Sequence, residues 1–148
     1  MPVEIRSLRA ADRAAWQELW TDYLTFYASS VNDAVYDTTF ARLLGDDPQD
    51  FNGLIATVDG TPVGLTHYLF HRHNWKIENV CYLQDLYAAP SVRGQGVGRA
   101  LIESVYSAAD AAGAPTVYWL TQAGNSTARK LYDRVADCTD FIKYQRAS

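Results

Sequence analysis

The most informative chemistry in the sequence is carried by three glycines at alternate positions. They lie in the run Arg93-Gly94-Gln95-Gly96-Val97-Gly98-Arg99, between a strand-like segment and the start of a helical pattern. Glycine allows a tight turn, and the start of a helix presents unpaired N–H groups with a partial positive charge. N–H groups that converge in this way suit a phosphate, and the two arginines could add charge-assisted hydrogen bonds. The run therefore predicts a phosphate-binding loop.

Two common phosphate-binding loops do not match this spacing. A Walker loop needs a lysine and a hydroxyl residue after its last glycine, whereas Gly98 is followed by Arg99 and Ala100. A dinucleotide-binding loop needs a third glycine three residues after the second, and that position is Arg99. A nucleotide-binding domain for ATP or NAD stays an alternative, as does a helix start that uses its glycines only to turn.

Hydrophobic periodicity and turn residues indicate the elements that position this loop. A hairpin is predicted over residues 54–58 and 62–70, which flank Asp59-Gly60, a dipeptide typical of tight turns. The other predicted strands cover residues 3–8, 77–87, 117–120 and 140–145, and the predicted helices cover about 10–27, 40–44, 97–112 and 126–135. Hairpin strands followed by alternating strands and helices predict one mixed α/β domain over residues 1–148.

Two segments together resemble the GNAT superfamily of N-acetyltransferases. Residues 93–98 are similar to its (Gln/Arg)-x-x-Gly-x-Gly/Ala signature, and Asn125-Ser126-Thr127-Ala128-Arg129-Lys130-Leu131-Tyr132 matches its Asn-x-x-Ala-x-x-Leu-Tyr segment. The element order resembles the family topology over essentially the whole chain. Residues 82–87, 105–106 and 117–119 further resemble the fungal histone/polyamine acetyltransferases and the diamine acetyltransferases. The resemblance implies a GNAT-like fold, with a mostly antiparallel central sheet, a parallel pair at the cofactor cleft, and flanking helices.

The resemblance implies acetyl-coenzyme A (acetyl-CoA) as the acetyl donor. In that family the glycine loop wraps the pyrophosphate, the backbone of a central strand pairs with the pantetheine arm, and an asparagine contacts that arm. Carried onto this chain, the cofactor-binding residues are those of the loop together with Leu86, Tyr87, Ala88 and Asn125. Asn125 also stands at a predicted helix start, where capping alone would explain it.

The implied reaction, attack of an amine on a thioester, needs a proton acceptor for the amine and a donor for the leaving thiolate. A free alkylamine is mostly protonated near neutral pH, since its pKa is about 10. By resemblance Tyr132 is the donor, although it also lies on an apolar helical face typical of a core. Diamine acetyltransferases carry a Glu-Asp pair where this chain has Gln84-Asp85, and an amide cannot accept the proton. Asp85 is the remaining candidate base, but in a regular strand it would face away from Gln84.

Aromatic side chains are the candidates for the wall of the amine pocket, since an alkylammonium is attracted to an aromatic face. Together with Gln84, the candidate substrate residues are Tyr23, Phe26, Tyr27 and Trp119. Aromatic residues at helical spacing are equally typical of a core. The acceptor stays open among a polyamine or diamine, a lysine side chain and an amino acid. The alternative function is a non-catalytic acyl-CoA-binding or regulatory module on the same fold, which Gln84 keeps open.

Composition and charge restrict the classes of partner that the protein is expected to bind. The 148 residues carry a net charge of −4, with a pI of about 5.2, and the lack of a basic stripe argues against nucleic acid. No run approaches the ~20 apolar residues of a membrane helix, and no signal peptide is recognised, so no membrane partner and a cytoplasmic location are expected. Residues 140–145 predict an apolar edge strand that joins two copies into a homodimer, as carboxy-terminal strands do in the fungal enzymes that the chain resembles.

Cysteine and histidine give no metal site. Cys81 and Cys138 lack the spacing of a zinc site and are expected to be reduced core thiols. His67, His71 and His73 share strand parity, but a rise of ~3.3 Å per residue places His67 about 13 Å from His71, too far for one ion. A solvated hairpin is expected to carry them, and no metal is predicted.

Overall fold

A five-stranded sheet organises the computed structural model, which describes residues 2–148. The strands are β1 (Val3–Ser7), β2 (Asn52–Val58), β3 (Thr61–His71), β4 (Val80–Ala88) and β5 (Val117–Tyr118). The helices are α1 (Arg13–Phe26), α2 (Asp33–Leu44), α3 (Val97–Ala111) and α4 (Ser126–Val135). The strands lie side by side in sequence order, with β1 to β4 antiparallel and β4 parallel to β5. The predicted mixed α/β fold is confirmed.

The predicted hairpin turn is confirmed between β2 and β3. Asp59 and Gly60 have φ values of 51° and 77°. A two-residue turn of this kind needs positive φ at both central positions, which aspartate tolerates and glycine adopts without strain. The turn fixes the register of β3 against β2, and β4 then pairs with β3.

Helices cover both faces of the sheet. On one face α3 packs Leu101, Ile102 and Val105, all fully buried, into a core shared with β2, β3 and β4. On the other face α1 and α2 pack Trp16 and Phe40 against the sheet. Burial of a large apolar side chain stabilises the fold by roughly 1.5–3 kcal/mol. The apolar side chains on the two faces of the sheet therefore hold α1 and α3 on opposite sides of β4.

A bulge interrupts the regular alternation of β4. His67 of β3 lies opposite Asp85, but the next residue, Tyr68, lies opposite Leu83, so Gln84 is the extra residue. Leu83 and Leu86, three residues apart, both pack into the core on the α3 side. Because residues on either side of the bulge share that face, Gln84 and Asp85 are both directed to the α1 side.

Two predictions about polar core residues are wrong. His67 is only 3% exposed and lies against Trp16 and Trp20 of α1, so it is not part of a solvated hairpin. The reason is strand parity, since His67 follows the buried Leu65 by two residues on the α1 side of β3. Cys81 is buried as expected, but Cys138 is exposed because it lies beyond α4, outside both cores.

The predicted strand over residues 140–145 is also wrong. Residues 137–148 contain no helix or strand, and Phe141, Ile142 and Tyr144 are 83%, 77% and 90% exposed. Apolar, β-prone residues form a strand only when another strand lies beside them, and this segment pairs with none of the described strands. Across residues 2–148, the helices are all too short or too polar to cross a membrane.

Candidate active site

The candidate site begins where β4 and β5 part. The two strands pair only through Cys81 with Val117 and Tyr82 with Tyr118 within the described chain. Beyond Tyr82, the β5 side of β4 is therefore an open strand edge. N–H and C=O groups on such an edge can pair with an extended ligand as an added strand would. The predicted pantetheine-binding residues Leu86, Tyr87 and Ala88 all lie on this stretch of β4.

A small cavity lies at this opening. Its walls come from α1, the β4 bulge, the segment after β5, and α4, namely Tyr23, Tyr27, Leu83, Gln84, Leu86, Trp119, Leu120 and Tyr132. Six of these eight residues were proposed from the sequence, as substrate, cofactor or catalytic residues. Leu83 and Leu120 were missed, because apolar residues next to a strand end carry no signal that separates a cavity wall from a core.

Tyr132 reaches the cavity from the second half of α4. Its ring packs edge-on against Trp119, with ring centroids 5.4 Å apart, and it also touches the core on the α3 side. Burial, with a smaller effect of Tyr27, raises the pKa of Tyr132 to about 12. The hydroxyl is therefore protonated at neutral pH and can donate a hydrogen bond into the cavity. Core packing and a donor role are thus compatible in one residue.

The predicted aromatic substrate residues at the end of α1 divide between the cavity and the surface. Tyr23 and Tyr27 line the cavity, and their ring centroids are 5.2 Å apart. Phe26 is 59% exposed and packs edge-on against Tyr27 from outside the cavity wall. The structure therefore places Phe26 outside the cavity that the other predicted substrate residues line. Phe26 is the last residue of α1 and Tyr27 directly follows it, and only Tyr27 is directed into the cavity.

Asp85 lies behind the cavity wall and is held there by two buried side chains. Its Oδ2 is 2.8 Å from Nδ1 of His67, and Nε2 of His67 is 2.9 Å from Nε1 of Trp16. Burial raises the pKa of Tyr23, and the nearby Asp85 carboxylate adds to this shift through its charge and hydrogen bonding. Asp85 therefore faces the hydroxyl of a residue that does line the cavity.

The sequence analysis did not select His67 and Trp16 as site residues. The parity of His67 with the apolar Leu65 was the available signal for its burial. Its link to Asp85 was not accessible, because it depends on the β3–β4 register. The Trp16 contact likewise depends on how α1 crosses the sheet, which periodicity alone does not give.

The glycine run folds into the predicted loop at the start of α3. Gly94 and Gly96 both have φ of 81°, and space is open where each would carry a side chain. The first hydrogen bond of the helix runs from the N–H of Ala100 to the carbonyl of Gly96, at 3.0 Å. The N–H groups of the first three helical residues, 97–99, thus precede the helical ladder and are available to an anion.

The remaining loop residues differ in their surroundings. Gly98 allows close packing of α3 on α4, since a Cβ there would come within 3.2 Å of Leu131. Arg99 pairs with Glu103 at 2.6 Å on the exposed face of α3. Burial and the charge of Asp22 raise the pKa of Tyr87, and the nearby positive charge of Arg93 partly offsets this rise. Arg93 is therefore the better placed of the two arginines to meet a ligand beside β4.

Asn125 stands at the start of α4, as predicted, but its side chain does not cap the helix. Its Nδ2 instead donates to Oγ1 of Thr121 at 3.3 Å, which leaves the amide oxygen free of the helix N–H groups. Capping alone therefore does not explain this asparagine.

As for metals, no group of three or more His, Cys, Asp or Glu side chains within residues 2–148 is arranged to hold an ion.

Comparison with known proteins agrees with this arrangement. Residues 14–136 match the model of the Acetyltransferase (GNAT) family, which covers both the cavity and the glycine loop. The chain belongs to the GNAT family. It is 40% identical over 146 residues to the D-amino-acid N-acetyltransferase HPA3 of Saccharomyces cerevisiae, covering 97% of this chain and 90% of the yeast protein. This GNAT protein is thus an N-acetyltransferase by family.

Two further relatives extend the comparison. An uncharacterized N-acetyltransferase of Bacillus subtilis, YhfO, is 26% identical over 144 residues, covering 96% of this chain and 95% of that protein. The aminoglycoside N-acetyltransferase AAC(6')-Iy, solved with a CoA-containing bisubstrate analogue, superposes with a TM-score of 0.83 over 100% of this chain and 99% of its own, at 20% identity. At that identity the superposition shows that the GNAT fold is shared.

Proposed function

We propose that this GNAT protein transfers the acetyl group of acetyl-CoA to the amine of a small amino acid. The observation that carries the proposal is the cavity at the β4–β5 opening, where Gln84 and Tyr132 face Tyr23 and Tyr27. It lies on the same strand edge, β4, that leads into the glycine loop. An amine and a thioester placed there would meet between the Asp85 carboxylate behind the wall and the protonated Tyr132.

The described residues fit a bound coenzyme A. The two positive-φ glycines leave open space beside the N–H groups of α3, as a pyrophosphate requires, and Arg93 adds a positive charge. The open edge of β4 offers backbone groups to the pantetheine arm, and Asn125 directly precedes α4, the helix that carries Tyr132. Acetyl-CoA, when bound, supplies an acetyl thioester at the cavity. Backbone N–H groups near Leu86 would then stabilise the oxyanion.

The chemistry of the cavity wall favours an amino acid over a polyamine. None of the eight wall residues in the described chain is charged, and Gln84 stands where a glutamate would attract a second ammonium group. An amino acid carries one amine and one carboxylate. The amide of Gln84 and the hydroxyl of Tyr27 can donate hydrogen bonds to that carboxylate. The name of the yeast relative, a D-amino-acid N-acetyltransferase, supports the same acceptor class.

Asp85 and Tyr132 would divide the proton transfers. Asp85 would accept the proton that the amine loses on attack, and Tyr132 would donate a hydrogen bond to the leaving sulfur. The pKa of Tyr132, about 12, is above the ~8.5 of an ordinary thiol. Complete proton transfer to the thiolate is therefore unfavourable, and stabilisation by the hydrogen bond is the expected contribution.

A thiol-release assay with acetyl-CoA and an amine panel tests this function. The panel contains D- and L-amino acids, a diamine, a polyamine and a lysine peptide. Amino acids should give the highest kcat/KM. Highest activity with the diamine or the lysine peptide would overturn the acceptor class but not the transferase. Tight CoA binding with no thiol release from any amine would instead support the acyl-CoA-binding module, and preference for ATP or NAD in a binding experiment would support a nucleotide-binding domain. A cytoplasmic location stays a prediction.

A further inference from the structure

Hydrogen bonds join three side chains into a polar path from the core toward the cavity, from Trp16 of α1 through His67 of β3 to Asp85 of β4. A fourth side chain, Tyr23 of α1, lies close enough to Asp85 for the carboxylate to add to the effect of burial on its pKa. His67 is 3% exposed and the side chain of Asp85 is 15% exposed. Only the last member, Tyr23, lines the cavity. Apolar packing would not require any of these polar contacts, and a buried polar path that ends at a cavity invites a functional explanation.

The contact with Trp16 fixes the proton on His67. An indole Nε1 can only donate a hydrogen bond, so Nε2 of His67 must accept it at 2.9 Å. The single proton of the neutral imidazole is then on Nδ1, which donates to Oδ2 of Asp85 at 2.8 Å. A protonated imidazole would set its Nε2–H against the indole N–H. Trp16 therefore holds His67 neutral, in the Nδ1–H tautomer.

The same geometry fixes the state of Asp85. A hydrogen bond donated by His67 stabilises the ionised form of the Asp85 carboxyl group. The titratable groups that face it are His67 from β3, Tyr23 from α1 and Tyr82 from its own strand, whose pKa is raised by burial and by the Asp85 charge. Both tyrosines are neutral at physiological pH. Asp85 is thus the one charged group at the end of the path, separated from the cavity by Tyr23.

We propose that Tyr23 relays the proton of the attacking amine to Asp85, and that His67, locked by Trp16, is the positioning residue that holds Asp85 for this step. The inference rests on the proposed acetyl transfer. As the amine nitrogen bonds to the acetyl carbon, its proton passes to the Tyr23 oxygen while the Tyr23 proton passes to Asp85. The bond from carbon to sulfur then breaks, and its electron pair leaves with the sulfur as a thiolate. Asp85 returns the relayed proton through Tyr23, so that one proton leaves the amine and one reaches the thiol.

Substitutions at His67 separate positioning from simple core packing. His67→Leu removes the donor to Asp85, whereas His67→Asn replaces it with an amide N–H of similar reach. We expect kcat/KM at neutral pH to fall by about 10² in His67→Leu, with the acidic limb of the pH profile displaced to higher pH, and to recover at least tenfold in His67→Asn. Tyr23→Phe should lose a similar factor with unchanged affinity for acetyl-CoA. His71→Asn, on the exposed end of the same strand, is the control and should leave the rate unchanged.

The competing explanation, a structural hydrogen-bond chain, predicts a different result. In that case His67→Leu lowers the melting temperature, but the folded fraction keeps the parent pH profile, and Tyr23→Phe keeps its kcat. Either outcome overturns the relay. The tautomer is tested without any substrate by ¹⁵N NMR of the imidazole groups, with the His67 signals assigned by their loss in His67→Asn. At neutral pH the Nδ1–H form should be the one observed in the parent protein and should give way to a mixture of tautomers in Trp16→Phe.

This pair of experiments distinguishes the proposed acetyl transfer from the proton relay. A parent protein that releases no thiol with any amine fails the proposed function, and the relay fails with it. A parent protein that is active, but whose His67 is protonated or in the Nε2–H form at neutral pH, keeps the proposed function and loses the positioning role of His67.

Discussion

Gln84 and Asp85, neighbours in the sequence, both face α1 because the bulge in β4 removes one step of strand alternation. Gln84 reaches the cavity wall, and Asp85 lies behind Tyr23 on the same side. A regular strand would have placed one of them in the core on the α3 side. The bulge therefore allows the amide to contact a substrate while the carboxylate is kept for proton transfer.

Asp85→Asn tests the base at this position. The amide has nearly the size of the carboxylate and its oxygen can still accept from Nδ1 of His67, so the fold should be kept. Without a proton acceptor, kcat/KM should fall by about 10², and the acidic limb of the pH–rate profile should disappear. Asp22→Asn removes an exposed carboxylate one residue before Tyr23 and serves as the control. An unaltered profile in Asp85→Asn would place the base elsewhere.

Tyr132→Phe tests the donor to the leaving sulfur. The substitution keeps the ring contact with Trp119 and removes only the hydroxyl. Because a thiolate with a pKa near 8.5 leaves fairly well unaided, we expect the low end of acid–base assistance, a loss of about 10² in kcat, with unchanged binding of acetyl-CoA. The matched control is Tyr106→Phe, which loses a hydrogen bond to the carbonyl of Val135 but lies outside the cavity wall. Full activity in Tyr132→Phe would make this tyrosine a core residue only.

Local sequence signals predicted the elements whose conformation is decided locally. The dipeptide Asp59-Gly60 was enough for the hairpin, since both residues adopt the positive φ that the turn needs. The start of α3 was likewise clear from its glycines. In each case the conformation depends on the residue itself, and pairing with a distant segment was not required.

The features that the sequence did not predict depend on contacts between distant segments. The bulge at Gln84 follows from how β4 pairs with β3, and the burial of His67 follows from where α1 crosses the sheet. Residues 140–145 have strand-like composition, but a strand also needs a partner edge, which composition cannot show. The candidate site was therefore predicted as a set of wall residues, whereas the path behind its wall was not.

Gly96→Val tests the anion loop. Valine at a φ of 81° is strained and its side chain would occupy the space beside the first N–H groups of α3. Coenzyme A should bind at least about tenfold more weakly, a loss of about 1.4 kcal/mol by titration calorimetry. Gly60→Val carries the same backbone strain at a φ of 77° in the turn between β2 and β3, outside the glycine loop, and serves as the control. If both variants lose stability and neither loses affinity, the loop does not bind the pyrophosphate.

Acid stability should depend on the ion pair between Arg6 and Asp12. Two hydrogen bonds of 2.7 and 2.9 Å join the groups, and the hydrogen bonds from Arg6 hold the pKa of Asp12 below its ordinary value. Because the folded pKa is lowered, this contribution is present above the unfolded value near 3.9 and is lost as the pH falls through the folded one. Asp12→Asn should cost about 1 kcal/mol at pH 7 in urea unfolding and less at pH 2. An equal loss at both pH values would point to packing instead.

Association into a homodimer is the last prediction, and the exposed carboxy-terminal segment is its basis. Phe141, Ile142 and Tyr144 leave large apolar areas in water, although they belong to no strand of this chain. A second copy could supply the missing strand edge, and the hydrophobic gain would favour the dimer. Light scattering at micromolar concentration should therefore give twice the mass of the 16.5 kDa chain. The double substitution Phe141→Ser and Ile142→Ser should return it to the monomer without unfolding either core, since neither side chain contributes to them. Trp75→Ser, which removes an equally exposed aromatic ring between β3 and β4, is the matched control and should leave the mass unchanged. A monomeric parent protein would contradict the prediction directly.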